Sequence, residues 1–107
     1  MRLQDVSTND TFCFVIKSFR NDLARAAFEG EATKGFPADL LRVARRKLQY
    51  LNAATSLQDL RSPPGNRLEA LKGDRQGQHS IRVNDQFRIC FVWTEDGPED
   101  VEFTDYH

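Results

Sequence analysis

Cysteine and histidine are scarce in this chain, with two of each among 107 residues. Cys13 and Cys90 show neither metal-ligand spacing nor a disulfide framework around them, which excludes a disulfide-stapled secreted scaffold and a cysteine-built metal site. Long apolar runs are also missing. No stretch reaches the ~18 apolar residues that a membrane-spanning helix requires. The N-terminus has one arginine and no apolar segment of the kind a secretory leader carries. A cytoplasmic protein without a membrane partner is the expectation. Net charge is nearly absent too, at −1.

That small net charge hides a separation. Residues 42–91 carry Arg42, Arg45, Arg46, Lys47, Arg61, Arg67, Lys72, Arg75, Arg82 and Arg88, opposed by Asp59, Glu69, Asp74 and Asp85. The tail then turns acidic, through Glu95, Asp96, Glu99, Asp100, Glu102 and Asp105. Such asymmetry permits a polyanion-binding face at a near-neutral total charge. It equally permits a solvated surface with local ion pairs. Hydrophobic content of 39% and charged content of 29% are those of an ordinary globular chain. One domain of this size buries roughly 65% of its unfolded surface, enough for a single core.

The elements can be placed from periodicity. Residues 1–14 are polar without a clear period. Val15–Phe19 reads as a short first strand. Asn21 suits a helix N-cap, and Leu23, Ala26 and Ala27 form a short apolar stripe ending at Gly30. Pro37 suits the first turn of a second helix. There Leu40, Leu41, Ala44, Leu48, Leu51 and Ala54 recur at three- and four-residue steps and define a buried face. Arg42, Arg45, Arg46 and Lys47 are expected mostly away from it. Leu57–Leu60 adds a further turn, and Ser62-Pro-Pro-Gly65 breaks the chain into a loop.

From Arg67 onward the period becomes two. Leu68–Leu71, Ser80–Val83, Phe87–Trp93 and the run from Asp100 to His107 are strand candidates, with Lys72–Gly77 a polar loop. The hairpin register follows from the apolar pattern. A two-residue loop at Asn84-Asp85 would set Ile81 opposite Arg88. A three-residue loop, 84–86, sets Val83 opposite Phe87 and Ile81 opposite Ile89, placing Ile81, Val83, Phe87, Ile89 and Phe91 on one face. Arg82, Arg88 and Cys90 then point the other way, and Tyr106 follows them if Val101 and Phe103 face the core. The expected architecture is α+β, with two N-terminal helices packed on one face of a mostly antiparallel sheet of four to five strands. The other face, partly open and cationic, is a candidate RNA-binding surface.

The final residues, Asp105-Tyr-His107, place a phenol and an imidazole at the end of a strand. Termini usually fray unless tied down, and a strand carried to the last residue would tie these two groups. Together with Ile16-Lys-Ser-Phe19, Leu71-Lys-Gly-Asp-Arg75, Ser80-Ile-Arg-Val-Asn84 and Phe87-Arg-Ile89, this ending resembles the HigB-type toxins of the RelE/ParE toxin–antitoxin superfamily. The resemblance covers about Val15 to His107, and its relatives begin near Val15. Residues 1–14 are therefore read as an N-terminal extension from an upstream start, ahead of a toxin domain at 15–107.

The resemblance implies a RelE-like, microbial-RNase-like fold. It implies a cofactor-free, metal-independent endoribonuclease that cuts mRNA in the A site of the 70S ribosome. A HigA-like helix-turn-helix antitoxin would silence it. Cleavage by the neighbouring 2′-OH needs a base, positive charge at the phosphate and an acid for the leaving 5′-oxygen. Acid–base help contributes about 10²–10⁴-fold, and preorganised charge as much or more. Lys72 and Arg88 match phosphate-binding and charge-stabilising positions of the family. Tyr106 and His107 match its terminal catalytic pair, and Asp105 a position suited to orienting His107. An imidazole titrates near pH ~6.5 and is the better proton shuttle than a phenol at ~10. Where many relatives carry histidine three residues before the lysine, this chain has Glu69, either a base or an ion-pair partner of Arg67 or Lys72. Arg67, Arg75 and Arg82 are candidate RNA contacts, and His79 a surface residue before its strand. Two competing readings are a ParE-like gyrase inhibitor and a catalytically inactive RNA-binding member.

Overall fold

The computed structural model describes residues 15–31 and 37–105. Two helices, α1 (Asp22–Glu29) and α2 (Ala38–Ala53), precede four strands: β1 (Glu69–Ala70), β2 (His79–Arg82), β3 (Phe87–Thr94) and β4 (Gly97–Asp105). The strands pair in chain order as one antiparallel sheet. Short 3-10 turns at Leu57–Arg61, Pro64–Asn66 and Gly73–Arg75 fill the connections. The architecture is the α+β arrangement that the periodicity predicts. Among the described residues no helix is long and apolar enough to cross a membrane.

Local chemistry fixes the helix ends. The Asn21 side chain accepts from the Ala24 amide at 3.1 Å, starting α1. Gly30 ends it at φ 76°, a left-handed conformation that a side chain resists. The same Asn21 donates to the Phe103 carbonyl at 2.9 Å and so ties α1 to β4. The buried face of α1 is narrower than its leucine suggests: Ala24, Ala26 and Ala27 are buried, and Leu23 is exposed. Alanines let so short a helix lie close against its neighbours.

In α2 the buried set is Ala44, Lys47, Leu48 and Leu51. Lys47 is the exception among the four cations expected mostly outward. It lies three residues after Ala44 and four before Leu51, squarely on the buried stripe. Its Nζ donates to Asn66 Oδ1 at 2.6 Å, and Asn66 Nδ2 donates to the Leu60 and Ser62 carbonyls at 3.1 and 3.3 Å. Burial, with Arg46 and Arg82 nearby, pushes the Lys47 pKa below the usual lysine range.

The β2–β3 hairpin adopts the predicted register. Ile81 faces Ile89, Arg82 faces Arg88, and Val83 N donates to Phe87 O at 3.0 Å, leaving a three-residue loop. Asn84 closes that loop by accepting from the Gln86 and Phe87 amides, both at 2.8 Å. Ile81, Ile89, Phe91, Val101 and Phe103 then pack with Ala44, Leu48 and Leu51 of α2. The first segment differs from expectation. Val15–Phe19 forms no strand: Phe19 makes a single parallel bridge to Val101, supported by bonds from Lys17 N to Pro98 O and Arg20 N to Val101 O. Continued pairing is stopped where Arg20 and Asn21 turn into α1. The Leu68–Leu71 candidate shortens to Glu69–Ala70. Residues 1–14, Tyr106 and His107 lie outside the described residues, and with them the readings placed there.

Candidate active-site pocket

Because side chains alternate along a strand, the face away from the helices can be read row by row. One row runs Glu69, Ser80, Cys90, Glu102 across β1 to β4. The next runs Arg82, Arg88, Thr104 across β2 to β4. Carboxylates therefore stand at both edges of the first row, and two guanidinium groups stand side by side in the second.

Glu69, Ala70, Leu71, Lys72, Arg75 and Arg88 line a single cavity of about 390 Å³. The spacing explains the gathering. Glu69 projects from β1 onto this face, and β1 then ends, so Lys72 and Arg75 come from the connection that rises beside it. Arg88 reaches across from β3, with Nη1 4.0 Å from Glu69 Oε1. The Arg88 side chain is 21% exposed and the Glu69 side chain 59%. Lys72 is exposed.

Arg75 has partners within the fold. Its Nη1 donates to Glu102 Oε1 at 2.8 Å and to Gln78 Oε1 at 3.0 Å. The Glu102 contact raises an already high pKa further. An arginine in the β1–β2 connection that bonds a carboxylate on β4 requires that connection to fold over the sheet. The face is less open there than periodicity predicts: Ser80 and Cys90, in the row that ends on Glu102, are 2% and 0% exposed. Burial pushes the Cys90 thiol pKa up. Alternation along strands cannot report what a loop lays across them.

The remaining candidates fall in three places. Arg82, in the row of Arg88, pairs with Asp85. Arg67 is exposed at φ 46° on the cap of the preceding turn, away from the pocket lining. Asp105 is exposed and lies opposite Phe87, one residue beyond the Thr104–Arg88 pair. His79 is a correction. It is the first residue of β2, half-buried and stacked on Phe91 with ring centroids 6.3 Å apart. Its pattern places it on the Phe91 face, which is why it is half-buried and not fully exposed. Glu102 is the residue that sequence reasoning missed, since an acidic tail gives no sign of which carboxylate turns inward. Among the described residues no group of three histidine, cysteine, aspartate or glutamate side chains could hold a metal ion.

Comparison with known proteins follows the same lines. Residues 17–107 match the model of the HigB-like toxin family, described as the RelE-like toxin of the type II toxin–antitoxin system HigB. The Endoribonuclease HigB of Proteus vulgaris is 33% identical over 93 residues, covering 87% of this chain and all of that protein. The Toxin HigB-1 of Vibrio cholerae is 48% identical over 59 residues, covering 55% of this chain and 62% of that toxin. An uncharacterised protein of Haemophilus influenzae is 38% identical over 76 residues, or 70% of this chain and 75% of its own length.

Proposed function

The chain belongs to the RelE-like HigB toxins of type II toxin–antitoxin systems, and we propose that it acts as a ribosome-dependent mRNA endoribonuclease. In this reading it cuts in the A site by 2′-OH attack without a metal, and a HigA-like antitoxin silences it. The observation that carries the reading is the cavity in which Glu69, Lys72 and Arg88 converge. Arg88 also stands directly opposite Arg82. Like charges facing across a sheet repel, and a phosphate between or above them would relieve that repulsion. The endoribonuclease activity named for the Proteus vulgaris relative supports the same chemistry.

The roles follow from charge and proton affinity. Lys72 and Arg88 stabilise the developing charge on the scissile phosphate. Glu69 accepts the 2′-OH proton or holds Arg88 in place. Tyr106 and His107 follow directly on Asp105. His107 is assigned the proton for the leaving 5′-oxygen, Tyr106 the substrate-facing aromatic, and Asp105 the orientation of His107.

Induction in bacteria with mapping of mRNA 5′ ends tests the proposal. Codon-periodic cuts are expected, falling by about 10²–10³-fold in Arg88→Ala, the usual loss when one preorganised charge contact is removed. His107→Ala and deletion of residues 106–107 should abolish toxicity with little loss of fold. Undiminished toxicity in the deletion would overturn the assignment of the terminal pair. Toxicity without cleavage, with gyrase inhibited, would replace the whole reading by the gyrase-directed one.

A further inference from the structure

One cation of the pocket reaches a partner on the far strand of the sheet. Arg75 lines the cavity beside Lys72 and Arg88, yet its guanidinium is bonded to Glu102 and Gln78. Glu102 is the deeper partner, with its side chain 17% exposed against 31% for Arg75. Arg20 Nε approaches the same Glu102 oxygen at 3.8 Å. A carboxylate so enclosed, two cations beside it, is a poor place for an incoming phosphate. Across antiparallel strands about 4.8 Å apart, β1 and β4 are separated by roughly 14 Å. The Arg75–Glu102 bond thus ties the connection leaving one edge of the sheet to a strand at the other.

We infer that Arg75 and Glu102 form a clamp that positions Lys72 over the Glu69–Arg88 pocket, and that neither residue contacts RNA. The inference rests on the proposed nuclease reading and adds residues that act through another. The local chain supports it. Lys72 immediately precedes the 3-10 turn Gly73–Arg75, whose first residue has φ 65°. Lys72 O accepts from Arg75 N at 3.3 Å, and Gln78 N donates to Arg75 O at 3.0 Å. Fixing Arg75 therefore fixes the backbone of Lys72 through three residues of tight turn. A flexible lysine gains most from such a device, since its four-carbon stem and single charge do not pre-organise themselves.

Arg75→Gln and Glu102→Gln separate this role from phosphate contact, because the second removes a negative charge. A clamp requires both to lower the single-turnover rate constant for cleavage of ribosome-bound mRNA, by about tenfold or more. Half-saturation should change little, and the double variant should lose no more than either single one, as residues acting as a unit are non-additive. Arg75→Lys, which keeps the charge, should recover part of the rate. If Arg75 contacts RNA instead, Arg75→Gln weakens binding and reduces its salt dependence by about one unit of slope, while Glu102→Gln leaves the rate intact; that outcome overturns the clamp. Should the wild type fail to cleave, the nuclease reading fails and the clamp is decided by amide exchange. Faster exchange over residues 73–77 in both variants, with β2–β4 unchanged, supports it; unchanged exchange there ends it.

Discussion

Ile81, Ile89 and Val101 on the helix side of the sheet and Ser80 and Cys90 on the other side are all at most 2% exposed, but different things cover them. The first set lies under Leu48 and Leu51 of α2. The second lies between Glu69 and Glu102 on a face crossed by the Arg75–Glu102 bond. One face is closed by apolar area, which is non-directional and contributes roughly 25 cal/mol per Å². The other is crossed by a charged hydrogen bond, which depends on geometry and two partners. A nuclease reading needs this division of labour. The packed face holds the strands rigid, so that the charged face can keep cations close together without the fold giving way.

The strongest way to break the comparison is to empty the packed face. Phe91→Ala removes the largest fully buried side chain. A loss of about 3–5 kcal/mol is expected, a large fraction of the ~5–15 kcal/mol that holds a domain together. Urea unfolding measures it directly. Arg88→Ala on the opposite face should change stability by less than about 1 kcal/mol, because it also removes a like-charge neighbour of Arg82. If the two substitutions destabilised equally, the faces would not differ in the way described.

The packed face was legible in advance because burial imposes a period. Ile81, Ile89, Val101 and Phe103 could be assigned to one side from alternation, and the three-residue loop followed from their alignment. The charged face was legible only in part. Glu69, Lys72 and Arg88 came from resemblance and do converge. The charge of Arg75 is visible in the sequence, whereas its partner Glu102, 27 residues further on, is one acid among several. That Lys47 is the exception among its neighbours is hidden for a related reason. A charged residue on a buried stripe reads as an outward one unless its partner is known, and Asn66 lies 19 residues away behind a proline turn.

That pair offers a second, smaller test. Asn66 is wholly buried and accepts from Lys47 while donating to two carbonyls. Asn66→Ala strands an ammonium group and two carbonyl oxygens, so a loss of about 1–3 kcal/mol is expected. Lys47→Met with Asn66→Ala removes the stranded charge and should recover part of that loss. A double variant less stable than Asn66→Ala would show that the packed face depends on its one cation, and the contrast between the faces would weaken.

The smallest effect is expected at the exposed turn that follows α2. Asp59 Oδ2 accepts from Thr55 N at 2.9 Å, Thr55 Oγ1 at 3.0 Å and Ser56 N at 3.3 Å. These bonds, the Thr55 amide first, hold the Asp59 carboxyl below the usual aspartate range. A depressed folded pKa means that the unfolded chain takes up the proton first. The contribution is therefore fully present above the unfolded value of ~3.9 and disappears as pH falls through the lower folded one. Asp59→Asn should melt slightly below the wild type at neutral pH, and the two melting curves should converge as pH drops below about 4. A gap that stayed constant into strong acid would mean that the turn is held by shape and not by charge. Electrostatic closure would then belong to the Arg75–Glu102 side of the sheet and not to its helix-side margin.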